Sequence, residues 1–210
     1  MYLFNRTIET TGEMAKIGPI LQDMKKAVDA AGSNATFWIG GAGYKMGTVI
    51  LTAPYENLAD RAEVMAKLAT SKAVTEANQK LISYTRNVEP DMIIQYLKGG
   101  TFAAAVPVGA VVSLVQSQPA QGADWPKRLE WAMAMAELNE KISGVTANLG
   151  MVIFGQIGGL VQFSGYANAA AAEAAREAQL ASAEWLPHFI KGGQFALAGS
   201  VLSRQMTKIA

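Results

Sequence analysis

His188 is the single histidine among 210 residues, and the chain has no cysteine. It is therefore the one side chain whose ordinary pKa lies near neutrality, and the readiest proton shuttle or haem ligand present. One histidine without cysteine leaves no disulfide framework, no thiolate nucleophile and no His-based zinc cluster. A Ser-His-Asp triad would have to draw on His188, and neither Ser113 nor Ser200 stands in a nucleophile-elbow context. No D-x-D-x-D-G loop or H-E-x-x-H motif occurs, so no metal site is expected and no cofactor is assigned. The Gly40-Gly41-Ala42-Gly43 cluster lacks G-x-G-x-x-G spacing and runs into a strand, which makes it a turn and not a phosphate cradle.

The other polar groups of interest suit orientation of a ligand. Arg6 interrupts the apolar parity of the first strand, and Gln95 and Tyr96 lie on the presumed fourth, which in a split β-α-β motif runs near the first. Trp38, Tyr44, Trp125, Trp131 and Trp185, with ten methionines, either wall a hydrophobic pocket or fill a core. His188 and Tyr55 are the candidate catalytic side chains; Arg6, Trp38, Gln95, Tyr96 and Trp185 are the candidate ligand contacts.

These residues are spread over elements that the hydropathy pattern predicts. Tyr2 to Thr10 alternates as a half-buried strand, and Met14, Ile17, Leu21, Met24, Val28 and Ala31 form one helical stripe ending at Gly32-Ser33-Asn34. Thr36 to Ile39 and Thr48 to Thr52 flank the glycine cluster as a β-hairpin. After Pro54 a helical region carries Leu58, Met65 and Leu68, with Ser71 placed to cap a restart through Val74, Ala77 and Leu81. An irregular segment then ends at Pro90, and Asp91 to Leu97 reads as a strand. The order is β-α-β-β-α-β, the ferredoxin-like split motif.

The second half repeats it. Ala110 to Val115 is a strand, Trp131, Met135, Leu138 and Ile142 are a helical stripe, and Met151 to Phe154 and Leu160 to Phe163 flank a glycine-rich turn. An Ala-rich helix from Asn168 to Ala181 follows, and Phe195 to Ile209 contains a closing strand. Shifting the chain by 111 residues aligns Gly47, Tyr55, Asn57, Ala59 and Ser71 with Gly158, Tyr166, Asn168, Ala170 and Ser182. The expected architecture is α+β: two tandem ferredoxin-like repeats, 1–100 and 109–210, joined by a linker at about 101–108 and packed sheet to sheet as a pseudo-dimer.

The segment from Tyr44 to Ala62, with Tyr55-Glu56-Asn57-Leu58 and Arg61, resembles the middle of the NIPSNAP family in the dimeric α/β-barrel superfamily. The second half keeps Tyr166 and Asn168 but has Ala171 and Ala172 at the places of Asp60 and Arg61. The resemblance implies a tandem barrel in a superfamily of cofactor-independent monooxygenases, isomerases, haem-binding enzymes and proteins without assigned activity. It also implies a histidine in the second helical region, where His188 stands. Fold alone does not select among these.

Composition narrows the partners. Half the residues are hydrophobic and 17% are charged, with a net charge of +1 and no basic block, so nucleic acid is not expected. The apolar run from Thr101 to Val115 is too short to span a bilayer and holds Pro107 and Gly109, and no signal peptide is evident, so a cytoplasmic protein is expected. Two functions remain open. One is an enzyme or binder for a small hydrophobic molecule held between the sheet and helices of one half, by cofactor-independent oxygenation or isomerisation if catalytic. The other is a structural or interaction protein that acts by homo-oligomerisation through low-charge, Ala-rich surfaces.

Overall fold

The computed structural model describes residues 1–100 and 106–210. Of the expected linker 101–108, residues 101–105 lie outside the described residues. The first half runs β1 (Tyr2–Thr10), α1 (Met14–Ala30), β2 (Thr36–Gly40), β3 (Thr48–Tyr55), α2 (Leu58–Thr70), α3 (Lys72–Ile82), β4 (Thr85–Val88) and β5 (Met92–Lys98). The second runs β6 (Val111–Ser117), α4 (Trp125–Ser143), β7 (Ala147–Phe154), β8 (Leu160–Tyr166), α5 (Ala169–Ala181), α6 (Trp185–Gly192), a 3-10 turn and β9 (Leu202–Lys208).

Each half is a four-stranded antiparallel sheet, β5-β1-β3-β2 and β9-β6-β8-β7, the strand order of a ferredoxin-like unit. The sheets join at both edges, β2 to β9 and β5 to β7, so eight strands close into a barrel with the helices outside. Closure removes the exposed edges that either half alone would present. Leu3, Trp38, Ile50, Ile94, Val112, Val152, Val161, Phe163 and Met206 fill the barrel interior.

The shared residues hold shared positions. Asn57 and Asn168 both cap helices, accepting from the backbone N–H of Asp60 and Ala171 at 2.9 Å. Tyr55 and Tyr166 both end a strand. Gly47 and Gly158 both turn the hairpin at positive φ, 80° and 79°, a conformation that favours glycine. The structure departs from the sequence reading in three places. Strand β3 continues through Pro54 to Tyr55, paired with Leu3 and Tyr2 of β1, and the helix begins only at the Asn57 cap. The segment read as irregular before Pro90 contains β4, which pairs with the end of β1 outside the barrel ring. A separate helix, α6, holds Trp185 and His188.

Among the described residues no helix is long and apolar enough to cross a membrane. The folded chain also carries phenols at Tyr44, Tyr55, Tyr96 and Tyr166 whose pKa values burial raises above 10. Above about pH 10 the unfolded chain releases these protons first, so stability falls as pH rises. Arg128 and Lys208 oppose this, because burial puts their folded pKa values below their unfolded ones, but they are two groups against four. A pH titration is expected to show phenolate absorbance and loss of helical dichroism rising together above pH 10.

Candidate functional site

On the outer face of each sheet, side chains of alternate strand positions meet the helices. Backbone pairing makes the two faces comparable residue by residue. Phe4 faces Ala53 on the neighbouring strand as Ser113 faces Ser164, and Arg6 faces Leu51 as Val115 faces Gln162. Ile93 opposite Phe4 likewise corresponds to Gln205 opposite Ser113. The first half thus carries Phe4, Leu51, Ala53 and Ile93 where the second carries Ser113, Gln162, Ser164 and Gln205. Helices α2 and α5 superpose on the same 111-residue shift, which sets Arg61, Met65 and Leu68 against Ala172, Arg176 and Gln179. Leu21 and Val28 of α1 become Ala132 and Asn139 of α4.

The consequence is a filled half and a hollow half. In the first, Phe4, Ile17, Leu21, Val28, Phe37, Val49, Tyr55 and Leu81 pack into one continuous core between sheet and helices. In the second, smaller and polar residues at the matching places leave a cavity of about 250 Å³. Ser113, Gln162, Ser164, Tyr166 and Gln205 form its floor on the sheet. Trp131, Ala132, Met135 and Asn139 of α4, Ala172 and Arg176 of α5, and Trp185 and Phe189 of α6 form its walls. Val115, Val201, Ser203, Arg176 and Phe189 are exposed and mark the mouth.

The wall is held by specific contacts. Asn139 is buried, and its Oδ1 accepts from Trp185 Nε1 at 2.7 Å and from Gln179 Nε2 at 3.1 Å. Phe189 stacks on Trp185 with ring centroids 5.0 Å apart. Trp131 Nε1 donates to the His188 carbonyl at 2.9 Å, and the indole lies against Gly192, where no Cβ would fit. Both wall indoles therefore have their N–H groups satisfied by protein, and present ring surface to the cavity. Burial raises the Tyr166 phenol and keeps it a protonated donor.

Of the residues singled out from sequence, Trp185 lines the cavity. His188 sits behind Trp131: the rings stack at 6.2 Å, and Nε2 lies 3.3 Å from the Trp131 carbonyl, so it does not line the cavity. Tyr55 is packed in the filled half, and its counterpart Tyr166 is the one on the floor. Arg6 is locked in a bidentate pair with Asp91, at 2.8 and 2.7 Å, at the first-half position that corresponds to the mouth. Trp38 is fully buried inside the barrel and donates Nε1 to Thr52 Oγ1 at 2.8 Å. Tyr96 also lies inside the barrel, edge-on to Phe163, with its hydroxyl unpartnered. Gln95 pairs with Met151 on β7, in the seam between the halves.

The floor serines, Gln162, Gln205 and Arg176 were missed. Their signal lies in the repeat itself, as polar residues at places that are apolar 109 to 112 residues earlier. Chemically the cavity can hold a flat, mostly apolar body against indole faces and donate hydrogen bonds to its oxygens. The lining residues bind and polarise; among the described residues no carboxylate, lysine or histidine lines the cavity. Among the described residues, no group of three or more Asp, Glu or His side chains could hold a metal ion.

No family model matches the chain, and no curated protein matches it. Solved structures do. A candidate monooxygenase of Fusobacterium nucleatum aligns over 100% of this chain and 92% of its own, with a TM-score of 0.70 at 8% identity. A candidate monooxygenase of Lactobacillus acidophilus aligns over 99% and 93%, with a TM-score of 0.63 at 10% identity. An anthrone oxidase-like protein aligns over 100% and 92%, with a TM-score of 0.63 at 15% identity. NIPSNAP-domain proteins also align, each over about half of this chain. The chain shares with these structures a dimeric α/β-barrel-like fold, with both halves of the barrel drawn from one polypeptide.

Proposed function

We propose that this protein binds a small, mostly apolar aromatic molecule in the cavity of its second half, and that the reaction carried out there is cofactor-independent monooxygenation. The observation that carries the binding reading is the hollow itself. Two halves of common design differ at matched positions, and the differences remove apolar bulk and add hydrogen-bonding groups on one side only. Core-filling residues replaced by Ser and Gln cost stability unless the space is used. At about 250 Å³ the cavity is smaller than the roughly 300–1,000 Å³ of typical ligand pockets, which suits two or three fused rings.

The monooxygenase reading is supported by the two candidate monooxygenases and the anthrone oxidase-like protein, which share the fold over 92%, 93% and 92% of their own chains. It fits a site with ring-stacking walls and oxygen-directed donors. The test is a thermal-shift and calorimetric titration of the full chain with 1-naphthol, 2-naphthamide and anthrone, followed by dioxygen uptake with whichever binds. A rise in melting temperature with at least one is expected. No shift with any of the three removes the binding reading, and binding without dioxygen uptake removes the monooxygenase reading.

A further inference from the structure

Arg176 is the single charged residue in the cavity lining. Its guanidinium carbon sits 5.2 Å from the ring centroid of Trp185, at the exposed edge where the cavity opens. Among the described residues it makes no ion pair. Glu173 and Glu177 share its helix, and neither comes within 4.0 Å of it. Its counterpart in the filled half is Met65. At this position the arginine occurs only in the half with the cavity; the filled half has instead Arg61, one turn earlier on the matching helix, laid over the Phe4 ring at 5.2 Å, where the second half has Ala172. In the filled half the arginine near the corresponding mouth, Arg6, is neutralised by Asp91.

We infer that the ligand of this cavity is a monoanion, an apolar ring body carrying one carboxylate or enolate oxygen group that meets Arg176 at the mouth; the inference rests on the binding reading above. A guanidinium held against an indole face keeps its N–H fork free at the edge, the geometry that pairs with a planar oxyanion. The floor assists, since Ser113, Gln162 and Gln205 can donate to the same or a second oxygen and no carboxylate in the lining opposes negative charge. A cationic amine would meet the arginine's repulsion here with no carboxylate among the lining residues to offset it. The position at the mouth also attracts the anion before it is buried.

The experiment compares 2-naphthoate with its neutral isostere 2-naphthamide, titrated calorimetrically into the full chain and into Arg176→Met, which copies Met65. The native chain is expected to bind the naphthoate roughly tenfold tighter than the amide, and Arg176→Met to lose that margin while leaving the amide unchanged. Raising the ionic strength is expected to narrow the margin in the native chain only. Equal affinity for the two probes in the native chain overturns the inference, as does an Arg176→Met variant that weakens both equally, which would make the arginine a mere wall. If neither probe binds the native chain, the anion assignment falls, while the binding reading stands or falls on 1-naphthol and anthrone. Arg176 is exposed, so an unchanged melting temperature of the variant checks that the fold is intact.

Discussion

The double variant Ser113→Phe with Gln162→Leu melts above the native chain and no longer binds cavity ligands. Both substitutions copy the first half, where the matching positions near the sheet centre carry bulky apolar groups: Phe4 at the place of Ser113, and Leu51 at the place of Gln162. The phenyl ring projects from β6 between the two wall indoles, and the leucine replaces an amide that apolar surroundings do not favour. Cavities cost roughly 24 cal/mol per Å³, so partial filling of about 250 Å³ contributes about 1–2 kcal/mol after allowance for imperfect fit. For a chain of this size that is a rise of ~2–8 °C. Calorimetry gives the melting temperature, and titration with the ligand found above gives the loss of binding. A variant that binds as tightly as the native chain places the ligand elsewhere. The opposite signs of the two effects carry the argument, since a misfolded variant would lose both stability and binding.

Arg128→Met is expected to destabilise the chain by roughly 2–5 kcal/mol, a loss on the order of 10 °C. Arg128 is 0% exposed and makes no ion pair among the described residues. It donates instead to the carbonyls of Gly158 and Ser117 at 2.7 and 2.9 Å and lies over Trp125. Burial without a counter-charge lowers its pKa to about 10. The matching residue of the first half is Ile17, and the reason for the difference lies in the turn beside it. There the Gly47 carbonyl receives both the backbone N–H and the hydroxyl of Thr10, at 3.2 and 2.6 Å. Following the strand register, the residue that takes the place of Thr10 is Pro119, which has neither donor. The guanidinium supplies what proline cannot. Methionine fills the space and leaves two half-buried carbonyls unpaired. Lysine, with one compact donor head, is expected to recover only part of the loss, because it cannot reach both acceptors. Denaturant unfolding of the three chains checks the order Arg, Lys, Met. Equal stability of Met and Arg would show that the carbonyls find other partners.

Much of the fold was legible because it repeats. Period-2 and period-3.6 patterns marked most of the strands and helices, and Asn57 and Asn168, a cap in each half, fixed the register of the repeat. Strand β4 was not legible: Thr85 to Val88 has three exposed residues and pairs only at the end of β1, so its sequence carries no alternation. Helix α6 was missed because Pro187 lies within its first turn, which reads as a break although proline is tolerated there. The site was less legible than the fold. Residue types that do chemistry by themselves stand out in a sequence, but His188 is held by Trp131, Arg6 is paired with Asp91, and Tyr96 is packed edge-on to Phe163 inside the barrel.

The sequence by itself determined that two ferredoxin-like units occur in one chain, because hydrophobic period, capping residues and turn glycines are local properties that survive without contacts. Only the tertiary structure decided which unit is hollow. A serine at position 113 or a glutamine at 162 is an ordinary strand residue until pairing sets it opposite Ser164 or Val115 and under the helices. Cavity and core are sums over side chains, those of the cavity brought together from four strands and three helices, and no window of sequence contains that sum.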